Sequence, residues 1–162
     1  MRPISEHDLE RQRNTQTAIW LDIQRIRELI EGRVSVLFRM AGLENLTSSQ
    51  ANVLVVLYKA ERPMSARDIA RALSLSGATV SRLVKALMSH GWIRREQHPE
   101  DKRTWLIHLT EQAHETRPRL VEVSKQFLSE AFGGVSTEDM EVLSEGLAGL
   151  RERLIAAGMG PE

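Results

Sequence analysis

The sequence predicts a mainly α-helical protein with one small β-hairpin. Apolar residues recur at helical spacing over most of the 162 residues, whereas only residues 92–97 and 103–109 have the character of strands. The chain has no cysteine, which excludes disulfides, zinc–thiolate sites and thiol redox chemistry. Its longest purely apolar run, residues 53–58, is far shorter than the roughly 20 residues that cross a membrane. We therefore expect a cytoplasmic protein that does not enter a membrane.

The first predicted helix covers residues 5–41 and carries an apolar stripe that its own small domain cannot cover. Apolar side chains recur at intervals of four and three residues, which approximates the heptad seam of a coiled coil. A partner helix is the simplest destination for this face, so we expect a dimer. The stripe consists of Ile19, Ile23, Ile26, Ile30, Leu37 and Met40.

Three short helices follow, each preceded by a residue that favours a helix start. Thr47 and Gln50 have the spacing of a capping box, and Ser65 and Ser76 precede the next two helices. Gly91 is a natural end for the third helix. Two short helices joined by a tight connection are typical of a helix-turn-helix. The third helix is expected to bury one stripe made of Val80, Leu83, Val84, Leu87 and Met88.

A β-hairpin is predicted directly after the third helix. Residues 92–97 and 103–109 are extended runs, and the polar, proline-containing segment 98–102 lies between them. Trp105, Ile107 and Leu109 alternate as the side chains of a half-buried strand do. A hairpin in this position is a wing beside the helix-turn-helix.

The last third of the chain predicts two further helices. Thr110 caps a helix through about Phe132, in which Pro118 either produces a kink or marks a true start near Thr116. Gly133 and Gly134 then break the chain. The final helix opens at residue 136, and its leucines form either a dimer seam or an intramolecular face. We expect the dimer interface to contain Ile19, Leu120, Phe127, Leu143, Leu147, Leu150 and Leu154.

The net charge of zero hides a segregation along the chain. Residues 47–110 carry ten basic and five acidic side chains, a net charge of +5. Residues 111–162 carry five basic and ten acidic side chains, a net charge of −5. A basic middle segment predicts that this part of the chain meets a polyanion, with scattered surface charge as the alternative.

Four segments carry a resemblance to a known family: Leu46–Gln50 with Val53 and Leu54, Ser76–Val84, Gly91–Arg95, and Asp101–Arg103 with Leu109 and Thr110. Through them residues 46–110 resemble the multiple antibiotic resistance regulator (MarR) family of winged-helix transcription factors, and residues 15–157 follow its order of elements. Pro118 departs from the family's pattern. The resemblance implies an N-terminal dimerisation helix in 1–45, a winged helix-turn-helix DNA-binding lobe in 46–110 and C-terminal dimerisation helices in 111–162.

The resemblance implies a homodimeric repressor that binds a pseudo-palindromic site in double-stranded DNA and is released by a small-molecule effector. The third helix would enter the major groove, where Arg82 can bind guanine and Lys85 can contact phosphate. The wing would reach the minor groove through Arg103, with Asp101 holding its guanidinium. The predicted DNA-binding residues are Ser65, Arg67, Ser76, Gly77, Ala78, Thr79, Ser81, Arg82, Lys85, Arg94, Arg95, Asp101, Lys102 and Arg103.

Each of these assignments has a simpler alternative. Arg82 could form an ordinary surface salt bridge, Asp101 and Arg103 a hairpin ion pair, and Arg67 part of a solvated helix face. A winged-helix module that binds protein instead of DNA is the alternative for the whole lobe. Such a module would not need the +5 charge of residues 47–110.

The first helix also contains a candidate ligand site. Trp20, Ile23 and Arg27 are three and four residues apart and share one face, which would suit a small aromatic or lipophilic acid. The alternative is that Trp20 and Ile23 pack in the dimer interface while Arg27 is solvated.

No catalytic or metal-binding pattern stands out in the sequence. The five histidines show no helical ligand spacing, although His108 and His114 are six residues apart across a strand-to-helix junction. There is no glycine-rich phosphate loop and no evident Ser/His/Asp arrangement. We therefore expect a protein that is not an enzyme and uses no cofactor or metal.

Overall fold

A computed structural model describes residues 6–159 and contains six α-helices and three short strands within that range. None of its helices is long and apolar enough to cross a membrane. The elements are α1 (Glu6–Met40), α2 (Ser48–Ala60), β1 (Met64–Ser65), α3 (Ala66–Leu73), α4 (Gly77–Ser89), β2 (Ile93–Gln97), β3 (Trp105–Leu109), α5 (Glu111–Phe132) and α6 (Thr137–Leu154), followed by one π-helical turn (Ile155–Met159).

The predicted starts of the helices after α1 are confirmed, whereas the predicted start of the first helix at residue 5 lies outside the described residues. Thr47 and Gln50 form both bonds of a capping box, and the hydroxyl of Ser76 accepts a hydrogen bond from the backbone N–H of Thr79 at 3.2 Å. The alternative start of α5 near Thr116 is wrong, because the helix begins at Glu111 and continues through Pro118. Burial of side chains on both sides of the proline supports that continuation: Ala113, Thr116 and Leu120.

The sheet has three antiparallel strands in the order β1-β3-β2, one strand more than the sequence predicts. Met64 pairs with Ile107 and Ser65 with Leu106, so β1 joins the edge of the hairpin. Two residues are too few to show the alternation by which a strand is recognised in a sequence. The added strand ties the wing to the start of α3.

The core lies between α2, α3, α4 and the sheet. Its innermost side chains include Leu54, Ile69, Leu87 and Ile107, all buried. Two residues expected in this core are not there. Met88 is 39% exposed because it faces the gap between α4 and the sheet, and Trp105 is 44% exposed because it lies at the end of the wing beyond the lobe.

Helices α1, α5 and α6 leave large apolar faces exposed. Leu147 is 53% exposed, and α6 buries no residue within the described chain. The leucine row of α6 is therefore largely uncovered in the single chain. A bidentate ion pair joins α1 to α5, with Arg33 Nε and Nη2 each 2.6 Å from a carboxylate oxygen of Glu130.

Candidate nucleic-acid interface

Helix α4 presents a small, basic and exposed face, as the sequence predicts. Val80, Val84 and Leu87 are buried and fix the rotation of the helix on the lobe. The opposite face therefore points to solvent. Within residues 6–159 its two cations, Arg82 and Lys85, form no ion pair. The exposed residues of this face are Gly77, Ala78, Ser81, Arg82, Lys85 and Ser89, with Thr79 partly buried.

The small residues lie in the first turn of α4. Gly77 has nothing within 4 Å of the position where a Cβ would be, and Ala78 is exposed. A DNA strand could therefore come close to the positive N-terminal end of α4, where backbone N–H groups point outward. Arg82, one turn further along, could then reach a base edge.

The Asp101 carboxylate holds the wing loop through the backbone N–H of Arg103 and not through the Arg103 side chain. Its Oδ1 accepts a hydrogen bond from the backbone N–H of Arg103 at 3.0 Å, and its Oδ2 accepts one from the Thr104 hydroxyl at 2.7 Å. These bonds lower the pKa of Asp101, the Thr104 hydroxyl most. Within the described chain no ion pair joins Asp101 to the Arg103 guanidinium, so that expectation is wrong. Asp101 fixes the turn and leaves the guanidinium free.

The neighbouring wing residue Lys102 takes part in the same turn. Its carbonyl oxygen accepts a hydrogen bond from Gln97 Nε2 at 2.7 Å, which ties the loop to the end of β2. The side chains of Lys102 and Arg103 are both exposed. The tip of the wing therefore carries two cations on a backbone that is held in place.

The adjacent arginines of β2 lie on opposite faces of the sheet. Arg94 Nη1 is 2.6 Å from Glu96 Oε2, and the same carboxylate oxygen is 3.4 Å from His108 Nε2. The hydrogen bond from Arg94 is the main reason that the pKa of Glu96 is lowered. Arg95 faces the other way, with its Cζ 5.2 Å from the centre of the Trp105 ring. The sequence does not distinguish the two arginines, because the cross-strand neighbours that separate them are set by the hairpin register.

The start of α3 already holds a carboxylate. Ser65 caps the helix, and its hydroxyl donates a hydrogen bond to Asp68 Oδ2 at 2.7 Å. Arg71 lies 3.5 Å from the other oxygen of Asp68. A phosphate that approached the backbone amides at Ser65 would meet this negative charge, whereas Arg67 is exposed without an ion pair in residues 6–159.

A cavity of about 350 Å³ lies between α2, β3 and α5. His108 and His114 both line it, together with Arg62 and Arg117. No group of three or more potential metal ligands occurs in the part of the chain that the structure describes. The spacing of the two histidines in the sequence does not show that two arginines line the same cavity.

The candidate ligand residues of α1 are accessible in the single chain. Trp20 is 61% exposed, and Ile23 is half-buried. Arg27 Nη2 is 2.8 Å from Glu28 Oε1, so its charge is already partly paired.

Comparison with known proteins places this arrangement in a family. A sequence profile of the MarR family matches residues 44–104. The regulator YdgJ of Bacillus subtilis is 30% identical over 109 residues, which cover 67% of this chain and 66% of that protein. The regulator MgrA of Staphylococcus aureus is 35% identical over 85 residues, which cover 52% of this chain and 57% of MgrA. The matched segments thus span somewhat less than two thirds of these relatives.

Solved structures show the same architecture over more of the chain. Overoxidised AbfR bound to DNA is 25% identical, with a TM-score of 0.69, and the match covers 87% of this chain and 98% of AbfR. A probable transcriptional regulator from Pseudomonas aeruginosa is 26% identical, with a TM-score of 0.63, over 79% of this chain and 96% of that protein.

The helix-turn-helix, the three-stranded sheet and the long flanking helices define a winged-helix protein with an exposed cationic face. The chain belongs to the MarR family. Its relatives in these comparisons are transcriptional regulators and not enzymes.

Proposed function

We propose that this protein is a homodimeric, sequence-specific DNA-binding repressor that acts on a pseudo-palindromic operator. The observation that carries the proposal is the pairing of two exposed elements. The small, basic face of α4 carries Arg82, and the wing carries Arg103 on a turn that Asp101 braces. Together they provide a helix for the major groove and a cation for the neighbouring minor groove.

The exposed apolar faces support the dimer. Side chains such as Trp20 on α1 and Leu147 on α6 would be covered if a second copy supplied the same helices. The seam on α6 repeats at four, three and four residues, the spacing of helix pairs. Two symmetric lobes then require two half-sites about 10 bp apart or a multiple of that distance.

Selection from random duplexes tests the DNA-binding proposal directly. The full chain is incubated with a random double-stranded library at moderate salt, and the bound fraction is sequenced over several rounds. We expect a two-fold symmetric motif. Arg82→Ala should relax preference at one base pair by about 1–3 kcal/mol, whereas Arg103→Ala should weaken binding to related sites alike. If no motif is enriched and every duplex competes equally well for the protein, the proposal of sequence-specific binding is overturned.

We also propose a small aromatic or lipophilic acid as effector beside Trp20, Ile23 and Arg27. The exposed indole supports it, although Arg27 would have to leave Glu28 to bind a carboxylate. Binding must favour a lobe spacing that does not fit the operator if it is to weaken DNA binding. Salicylate titrated into a Trp92→Phe, Trp105→Phe background tests the site. Unchanged Trp20 emission and unchanged operator affinity at millimolar salicylate would contradict it.

A further inference from the structure

The gap between α4 and the sheet is a cavity that carries two cations and no carboxylate. This notch has a volume of about 280 Å³, and Lys85 lines it from the helix while Arg95 lines it from β2. No ion pair joins either cation to an acidic side chain within residues 6–159. Two positive charges that line one small cavity repel each other unless an anion lies near both. The remaining lining residues are Ala66, Ser81, Val84, Met88 and Ile107.

An exposed aromatic ring holds one of these cations. In the hairpin register Arg95 lies opposite Ile107 and Gln97 lies opposite Trp105, so Arg95 and Trp105 are diagonal neighbours on one face of the sheet. Arg95 Cζ is 5.2 Å from the centre of the Trp105 ring, within the range of a cation–π contact. The ring restricts the guanidinium without neutralising it.

Arg94, the preceding residue, differs from Arg95 in having a carboxylate as its partner. Arg94 is bound to Glu96 at 2.6 Å on the other face, so its charge is compensated inside the protein. Arg95 lies on the same strand and is also exposed, but its partner is the neutral ring of Trp105. Its full positive charge therefore stays available to an external anion.

The notch also lies between the two elements that the proposed function brings to DNA. Ser81 and Lys85 belong to the exposed face of α4, and Arg95 and Trp105 belong to the hairpin whose tip carries Arg103. A DNA strand that passes from the major groove to the minor groove must run between recognition helix and wing. A phosphate of that strand would be the anion nearest to this position.

We propose that the notch binds one phosphate of the DNA backbone between Lys85 and Arg95, and that Trp105 is the positioning residue that holds Arg95 there. The inference rests on the proposed DNA-binding function. One phosphodiester supplies the negative charge that the two cations lack. Because the ring already restricts Arg95, the guanidinium loses less freedom when it binds.

Fluorescence anisotropy with a labelled duplex, chosen by the selection described above, tests this site at several salt concentrations. Arg95→Gln is expected to reduce the slope of log affinity against log salt by about 1. Trp105→Ala is expected to weaken binding by about two- to fivefold, and Trp105→Phe should restore most of the loss. Lys125→Gln is the charge-matched control, because it removes one exposed cation from α5, away from the notch.

A double-mutant cycle separates a positioning role from a general effect of the ring. If Trp105 acts through Arg95, the Arg95→Gln, Trp105→Ala double variant should bind like Arg95→Gln alone. Additive losses would overturn the positioning role, and an unchanged salt slope in Arg95→Gln would overturn the phosphate site. Unchanged unfolding midpoints would verify that these exposed substitutions leave the fold intact. A parent chain that binds no duplex at any salt concentration would overturn the proposed function itself, and the notch proposal with it.

Discussion

Tyr58 joins α2 of the lobe to the long helix α5, and loss of its hydroxyl should weaken that contact measurably. The side chain is 7% exposed, and its hydroxyl donates a hydrogen bond of 2.5 Å from α2 to the backbone oxygen of Ala113 on α5. Burial raises the pKa of Tyr58 to about 12, although nearby Arg117 opposes the shift. Tyr58→Phe keeps the ring and deletes the bond, so we expect a loss of about 0.5–1.5 kcal/mol in unfolding free energy at pH 7.

The raised pKa of Tyr58 makes the stability of the folded chain fall as the pH rises above 10. Because the pKa in the folded state, about 12, exceeds the unfolded value of about 10, the stabilisation by neutral Tyr58 is complete below pH 10. It is lost as the pH rises through 12. At pH 11 this linkage lowers the stability of the folded chain by about 1 kcal/mol, which corresponds to roughly 2–4 °C in Tm for a chain of this size.

Two measurements check this prediction. Tyr58 is the only tyrosine, so the absorbance of phenolate in the native protein reports its pKa directly. Thermal unfolding of parent and Tyr58→Phe at pH 7 and pH 11, at equal protein concentration, reports the linked stability. The stability advantage of the parent over Tyr58→Phe should shrink or reverse between pH 7 and pH 11. A native tyrosine that titrates near its ordinary pKa of 10 would refute the reasoning.

Three further perturbations probe the dimer, the wing and the joint between α1 and α5. Leu147→Glu should convert the dimer into monomers in sedimentation, because it would bury an unpaired charge in an apolar seam; a variant that stays dimeric would contradict the seam. Glu96→Gln should tighten DNA binding by about two- to fivefold in anisotropy, since it releases Arg94 and removes a negative charge near phosphate; unchanged affinity would leave Arg94 without a role. Arg33 lowers the pKa of Glu130 to about 2, so the stability that this carboxylate provides should persist above pH 4.5 and disappear as the pH falls towards 2. Acid unfolding of Glu130→Gln should lack that step, and a step of equal size in the variant would exclude the ion pair as its source.

Local chemistry in the sequence was sufficient to predict the helices after α1 and the hairpin, and the family followed from a resemblance of motifs. A cap such as Thr47 acts on the backbone within three residues, and the buried stripe of α4 follows from a period of 3.6 residues. Both signals are contained in a short window, so they can be read without a partner element. The exposed face of α4, with Arg82 and Lys85, followed from the same geometry.

The contacts that decide what each wing residue can do depend on elements that meet only in the folded chain. Register places Arg95 beside Trp105 and leaves Arg94 to Glu96, although the two arginines are adjacent in the sequence. The pairing of β1 with β3 is likewise invisible in two residues. Asp101 holds a backbone amide and not the guanidinium beside it, because a tight turn brings that amide within 3.0 Å. Composition and spacing determined which groups exist in this protein, and tertiary packing decided which charges are cancelled and which remain available to DNA.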